Sequence, residues 1–555
     1  MLLRSTQRLG PYPRAVGEWL VTWARVAPDR VFLAECAGDA WRTLTYGEAL
    51  DAVRRVGQSL IARGLDATRP VMILSSNSVN HALVALGAMH VGVPVAPVSP
   101  AYSLLSSDFA KLKAIADLVD PGLVFVEERD TYGLALHAIG AEATPITELL
   151  TETPGDAAEK AFAAVGPDTI AKILFTSGST GLPKGVINTQ RMLCSNQQSY
   201  AQLWPFIEAA PPVLLDWLPW NHTFGGNSTF NMVLRNGGTL HIDGGKPMPG
   251  LIDLTVRNLR DVSPTIYFNV PRGFDLLLPF LESDEGLRRH FFRRLGAVFY
   301  AGAALPQNLW DRLERLAVAE NGGRLAMLSA WGSTETAPMA TCVHAPIDRA
   351  AAIGLPGPGC EILLTPEGSR LEARVRGPNV TPGYYKRDDL TREAFDDEGF
   401  YRIGDALAFA DPDAPAKGLV FDGRVAEDFK LTSGTWVRTG EVRVKLIAAA
   451  NPLIQDAVIT GHDRDEVGAL VFLSPAAKVG PDGEVHAALR GALDALSLAG
   501  GSSTHPRRLL VMTDPPSGDA NEITDKGYLN QRAVLERRAA LVDELYRGGP
   551  GVIRR

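Results

Sequence analysis

The residues best suited to chemistry cluster in Ile173–Val186, which reads ILFTSGSTGLPKGV. Ile173, Leu174 and Phe175 read as the apolar end of a buried strand. They lead into Thr176, Ser177, Gly178, Ser179, Thr180 and Gly181, with Lys184 close behind. Glycine lets backbone N–H groups approach an anion, hydroxyls donate further hydrogen bonds, and lysine adds charge. Such a loop can wrap a triphosphate. It is not a Walker A loop, in which Gly, Lys and Ser/Thr are adjacent, because Leu182 and Pro183 separate Gly181 from Lys184.

Three further groups offer complementary chemistry. In Ala330–Pro338 (AWGSTETAP), Trp331 offers a flat face to a purine. Thr334 offers a hydroxyl to phosphate, and Glu335 a hard oxygen to Mg²⁺ or its water shell. In Tyr401–Asp405 (YRIGD), a carboxylate at a strand end can accept from both ribose hydroxyls. In Pro219–Gly225 (PWNHTFG), His222 stands between Trp220 and Phe224, which suit a flat apolar substrate.

The string TSGSTGLPKG resembles the phosphate-binding loop of the adenylate-forming superfamily of acyl-CoA synthetases, peptide-synthetase adenylation domains and luciferases. Other segments resemble that family's motifs in the family's order. Trp331–Glu335 is similar to its adenine and magnesium motif, an aromatic residue followed by GxTE. The likeness puts Trp331, Gly332, Ser333 and Thr334 against the nucleotide, and Glu335 with Thr176 against the metal. Tyr401–Asp405 is similar to the Y-x-T-GD motif, with Ile403 where Thr is common. Gly423-Arg424 looks like the family's GR pair, which implies an Arg424 contact to ribose or α-phosphate. Ala301–Pro306 resembles the loop that lines the adenine pocket, implying roles for Gly302, Ala303 and Ala304. Pro219–Gly225 resembles the gate beside the acyl carboxylate, which makes His222 a catalytic candidate. Asn521–Arg532 (NEITDKGYLNQR) holds the candidate catalytic lysine, Lys526; Gly527 follows it where the commonest pattern puts Gly before.

Two segments resemble one branch. GRVAEDFKLTSGTWV (423–437) and NEITDKGY (521–528) look like bacterial feruloyl-CoA synthases, which activate hydroxycinnamic acids such as ferulate, p-coumarate and caffeate in phenylpropanoid catabolism. The hinge falls on Ala426 by alignment or Glu427 by charge. The resemblance implies MgATP and CoA as co-substrates, an acyl-adenylate intermediate, and a C-terminal domain that rotates to bring Ser433, Gly434 and Trp436 into a CoA tunnel. Phe224, Asn227, Tyr267 and Asn269 are the acyl-pocket candidates. A fatty or other aryl acyl-CoA synthetase is the same-class alternative, and a nucleotide-binding regulator without turnover the different-class one.

The elements that must position these residues follow from the wider pattern. The 555 residues allow several domain-sized cores, and 46% hydrophobic with 21% charged residues fits an ordinary globular protein. A net charge of −8 gives no nucleic-acid footprint, and means that local cations must draw in polyanionic ATP and CoA. Cys36, Cys194, Cys342 and Cys360 have no metal-ligand or CxxC spacing and fit buried free thiols in a reducing cytoplasm. The N-terminus lacks a signal-peptide core, no stretch reads as a membrane span, and the family resemblance leaves a homodimer open.

Residues 14–64 read as helical, with Thr45 and Glu48 at capping-box spacing. Short apolar runs at 71–74, 93–98 and 123–126 alternate with a helix at 80–89. The pattern repeats through 212–218, 239–242, 265–268 and 297–300. This predicts an α/β fold with largely parallel sheets. Residues 152–166 read as a connector. Beyond Gly354, short strands between Gly/Pro turns predict a β-rich layer. The expected organisation is an N-terminal domain at 1–423 and a small mobile α+β domain at 424–555.

Overall fold

Thr45 and Glu48 form the capping box their spacing predicts. The Thr45 hydroxyl accepts from the Glu48 N–H at 3.3 Å, and the Glu48 carboxylate accepts from the Thr45 N–H at 2.8 Å. Such a cap stabilises a helix start by about 1 kcal/mol. The helix it opens, Tyr46–Ala62, buries Ala49, Val53, Val56 and Leu60 on one face. These features come from a computed structural model. It describes the chain except residues 39, 178–181, 304, 346, 348–349, 369, 475–476, 478–481, 499–500, 502, 524–528 and 550, and the side chains of 177 and 482.

The helical reading of 14–64 is corrected between its two helices. A helix at Gly17–Val26 ends just before Pro28, and the antiparallel strands Val31–Ala37 and Ala40–Thr45 precede the capped helix. Proline restricts the residue before it away from helix, and alternation then takes over. The expected connector at 152–166 contains a helix, Asp156–Ala164, for which its alanines are well suited.

Among the described residues, one sheet runs in the order Ala143–Thr144, Leu123–Val126, Val71–Leu74, Val95–Pro97, Ile170–Ser177, Pro183–Thr189. Its pairings are parallel except the last, an antiparallel hairpin. A second sheet joins Val213–Asp216 and Thr239–Ile242 in parallel to Val31–Ala37. The third begins with parallel Ile266–Asn269, Ala297–Tyr300 and Ala326–Gly332. It then continues antiparallel through the strands beyond Met339. The β-rich layer is therefore an extension of a parallel half-sheet, not a separate one.

The last strand of that sheet in chain order ends at Arg424, and a short 3₁₀ turn, Val425–Glu427, follows. Beyond it, Ile454–Thr460, Gly468–Leu473, Arg508–Val511 and Val552–Arg554 form a mixed sheet with its own core, including Phe429, Leu446, Ile459, Val471 and Leu489. No helix among the described residues is long and apolar enough to cross a membrane.

Candidate functional site

The hairpin Ile170–Ser177/Pro183–Thr189 positions Thr176, Ser177 and Lys184, the described members of the phosphate-loop candidates. Ile173 and Leu174 are fully buried, which anchors the strand. Thr176 pairs with Lys184 and Ser177 with Pro183, so the lysine returns opposite the first hydroxyl. Gly178, Ser179, Thr180 and Gly181 lie outside the described residues. The Lys184 ammonium donates to the Tyr384 hydroxyl at 2.6 Å and stands 3.6 Å from the Glu335 carboxylate. The Tyr384 hydroxyl in turn donates to Glu335 at 3.0 Å. Burial, reinforced by the Glu335 charge, pushes the Tyr384 phenol upward, so it stays a donor.

Gly332 makes the turn that presents Glu335. A β-carbon there would fall 1.9 Å from the Pro338 carbonyl, so no larger residue fits. Ser333 and Thr334 follow, Thr334 buried and opening a short 3₁₀ turn. Trp331 departs from the sequence reading. Its indole is 7% exposed, packs in the β-layer core, and donates its N–H to Asp405 at 2.9 Å. Most of its ring surface is covered, and its N–H orients the Asp405 carboxylate. Burial pushes Asp405 up to about 6 against the pull of Arg424. Arg424 is 3.7 Å away with a largely exposed side chain, a loose pair able to turn toward another anion. Gly302 and Ala303 are exposed just past Ala297–Tyr300; Ala304 lies outside the described residues.

On the acyl side, the His222 Nδ1 accepts from the Phe224 N–H at 3.2 Å, which leaves the proton on Nε2 when the ring is neutral. Phe224 begins a π-helical segment, Phe224–Thr229. Its ring lies 5.5 Å from Phe299 and 6.3 Å from Phe268, centroid to centroid. Two acyl-pocket candidates are corrected here. Tyr267 packs in the helical core with Phe274 and Phe291, and its hydroxyl accepts from Asn269 at 3.1 Å. Strand alternation puts Tyr267 and Asn269 on one face and Phe268 on the other, so Phe268 is the residue that meets Phe224. The Asn227 amide is also committed, donating to Asn188 at 2.8 Å and Thr223 at 3.1 Å.

Sequence reasoning missed Lys172. Its buried ammonium donates to the Gly226 carbonyl at 2.7 Å inside the π-helical segment, and burial draws it down to about 7. Missed too was the clamp at Tyr384, in a Gly/Pro-rich stretch with no periodicity to mark it. Phe268 was legible from alternation alone.

In the C-terminal part, Lys526 lies outside the described residues. Its flanks are firmly held: Ile523 pairs with Leu529, and buried Glu522 accepts from Arg538 and Arg537, each at 2.7 Å. Burial alone would raise Glu522, but Arg538 and the Ser517 N–H hold it below the usual carboxylate range. Asp519 accepts from the Ser107 N–H and hydroxyl, and Lys111 donates to the Gly518 carbonyl at 2.7 Å. The segment leading to Lys526 thus rests on helix Ala110–Val119, which packs on the strand bearing Lys184. Ser433, Gly434 and Trp436 sit on an exposed ribbon, with Lys430 over the Trp436 ring. Ala426 is exposed and Glu427 half-buried at the turn after Arg424.

Magnesium is implied by the family resemblance. Mg²⁺ keeps several waters and takes one or two carboxylates beside substrate phosphates. Buried Glu335, and the Thr176 oxygen, buried without a hydrogen-bond partner, fit that donor set. Among the described residues no group of three or more His, Cys, Asp or Glu forms a larger cage.

This arrangement defines an α/β protein in which Lys184, Tyr384 and Glu335 are brought together from separate segments. Residues 20–385 match the AMP-binding enzyme family, and residues 433–549 match the AMP-binding enzyme C-terminal domain. The chain belongs to the AMP-binding enzyme family. It is 30% identical to the sulfoacetate–CoA ligase of Cupriavidus necator, over 71% of this chain and 77% of that one. It is 25% identical to the carboxylic acid reductase of Segniliparus rugosus over 69% of this chain, and spans 33% of that reductase's length. In fold it is similar to ATP-bound MatB from Rhodopseudomonas palustris, with a TM-score of 0.69 at 23% identity over 94% of this chain and 99% of that one.

Proposed function

We propose that the chain is an AMP-forming acid–thiol ligase that joins a hydroxycinnamic acid to CoA through an acyl-adenylate. The observation that carries this reading is the pairing of Lys184 with Glu335 and of Arg424 with Asp405, drawn from separate segments, with the Glu335 charge felt at Asp405. The acid is read from this chain's own residues: the Phe224, Phe268 and Phe299 rings, and the segments 423–437 and 521–528.

A carboxylate is a poor acyl donor because its leaving group would be oxide. Attack of one carboxylate oxygen on the α-phosphorus of ATP forms the acyl-adenylate and expels pyrophosphate. Lys184 supplies positive charge to the phosphates, and Asp405 accepts from the ribose hydroxyls. Glu335 and Thr176 would hold Mg²⁺, which when bound spreads charge from the reacting phosphates. Lys526 bridges carboxylate and α-phosphate and offsets the repulsion between two anions. His222 stands at the mouth of the acyl side. In the second step the CoA thiol attacks the acyl carbon and AMP leaves. Rotation of 424–555 about Ala426 or Glu427 withdraws Lys526 and brings up Ser433, Gly434 and Trp436. The site is read as cytoplasmic.

A thioester assay with ATP, Mg²⁺ and CoA across ferulate, p-coumarate, benzoate and octanoate tests the reading. Ferulate or p-coumarate should lead; a preference for octanoate would remove the aryl assignment, and no AMP with any acid would remove the ligase itself.

A further inference from the structure

We propose that Tyr384 is a positioning residue that couples Lys184 to Glu335, so that phosphate capture by the lysine and cation capture by the carboxylate occur together. The inference rests on the ATP-binding part of the proposed function, not on the identity of the acid.

Segment Thr381–Tyr385 is stitched to both partners through its backbone. The Thr381 N–H donates to the Glu335 carbonyl at 2.8 Å, and the Thr381 hydroxyl to the Ile187 carbonyl at 2.7 Å. The Ile187 N–H donates to the Gly383 carbonyl at 3.1 Å, and the Tyr385 N–H to the Gly185 carbonyl at 2.8 Å. The segment therefore joins the strand bearing Lys184 to the turn bearing Glu335. Tyr384 sits at its centre, 4% exposed, with Thr391 accepting its N–H at 2.9 Å.

The hydrogen-bond direction in this cluster is set by chemistry. An ammonium can only donate, so the Tyr384 oxygen accepts from Lys184, and its one proton runs to Glu335. Tyr401, 3.5 Å from the Tyr384 oxygen, borders the same acceptors. The Lys184 ammonium also lies 4.0 Å from the Tyr384 ring centroid, where the π-face attracts a cation. A triphosphate competes for Lys184, whereas a hydrated cation competes for the Glu335 carboxylate. The phenol lets the lysine depart while still orienting the carboxylate. Without it, the Lys184–Glu335 pair, now 3.6 Å apart, closes to direct contact, and each ligand must break it alone.

The test is calorimetric ATP binding without any acid, so that no turnover occurs, measured with Mg²⁺ and with EDTA. The ratio of the two affinities reports the coupling. Tyr384→Phe should lower this ratio roughly tenfold, as expected for losing a hydrogen bond to a charged group, with thermal unfolding little changed. In a Glu335→Gln background the same substitution should add nothing. An unchanged ratio in Tyr384→Phe, or full additivity with Glu335→Gln, overturns the proposal, because a purely structural tyrosine would weaken both affinities alike. Should Tyr384→Phe fail to fold, a double-mutant cycle of Lys184→Met with Glu335→Gln reads the same coupling; additivity there also overturns it. If the coupling is found while no acid yields AMP, the ligase reading falls and this one stands; if the protein binds no ATP, both fall.

Discussion

Among the described residues around Lys184 and Glu335, the polar groups come from different stretches of chain: the hairpin, a 3₁₀ turn, the Tyr384 segment and the strand bearing Tyr401. Around Phe224 the neighbours are rings, two of them from adjacent strands of one sheet. The first region works through directed bonds, each fixed by a partner a few ångströms away. The second works through shape, with rings in mutual contact that hold their places collectively. Loss of one directed group should therefore remove a step, whereas loss of one ring should change which acid is preferred.

The sharpest way to break this contrast is at Lys526. Lys526→Ala should cut pyrophosphate release by two to three orders of magnitude, the usual scale for losing one charge-stabilising group. It should spare CoA transfer from supplied feruloyl-adenylate; equal loss of both half-reactions would deny it a step-specific role. Next comes the ribose site. A carboxylate accepts more strongly from two hydroxyls when ionised, and Asp405 ionises at about 6, so AMP affinity should fall as pH drops below that value. Asp405→Asn should bind AMP about tenfold more weakly at neutral pH and lose that pH dependence; a variant with an unaltered pH profile would place the titration elsewhere.

The acyl side should answer in specificity. Phe268→Ala should shift the ferulate-to-octanoate ratio of kcat/KM by roughly tenfold, within the range for reshaping an apolar pocket. Tyr267→Phe, on the opposite face, should leave that ratio alone and cost about 1 kcal/mol of stability through its lost hydrogen bond. A reversed pattern would undo the correction drawn from strand alternation.

The smallest expected effect joins the two regions. Lys172 ionises near 7 in the folded chain and near about 10.4 when unfolded. Above pH 7 the unfolded chain holds the extra proton, so this group makes stability rise with pH between those values, with no slope from it below. Urea unfolding at pH 7, 8 and 9 should show a shallower rise in Lys172→Met than in the parent; identical slopes would mean that the ammonium is not desolvated.

Much of this protein is legible in residue order. Local rules suffice for the Thr45 capping box and for the apolar strands, including the one that ends at Ile173–Phe175, because each rests on neighbours within a few positions. Pro28 and the alternation after it were local signs of the strand pair at 31–45, but residue order did not disclose that Val31–Ala37 joins Thr239–Ile242 in one sheet. Nor did residue order disclose that Trp331 turns its N–H to Asp405, across 74 positions of chain.

Residue order by itself determined the chemistry on offer: which hydroxyls, carboxylates and cations exist, and which of them recur at a spacing that suits a nucleotide. Tertiary structure alone decided who meets whom. Tyr384 reaches Lys184 across 200 positions, and Lys172 reaches the Gly226 carbonyl across 54. Such contacts depend on how separate sheets are stacked and on which face each side chain takes, and a hydrogen bond acts only over about 3 Å. Local periodicity carries no record of distances between segments so far apart in the chain.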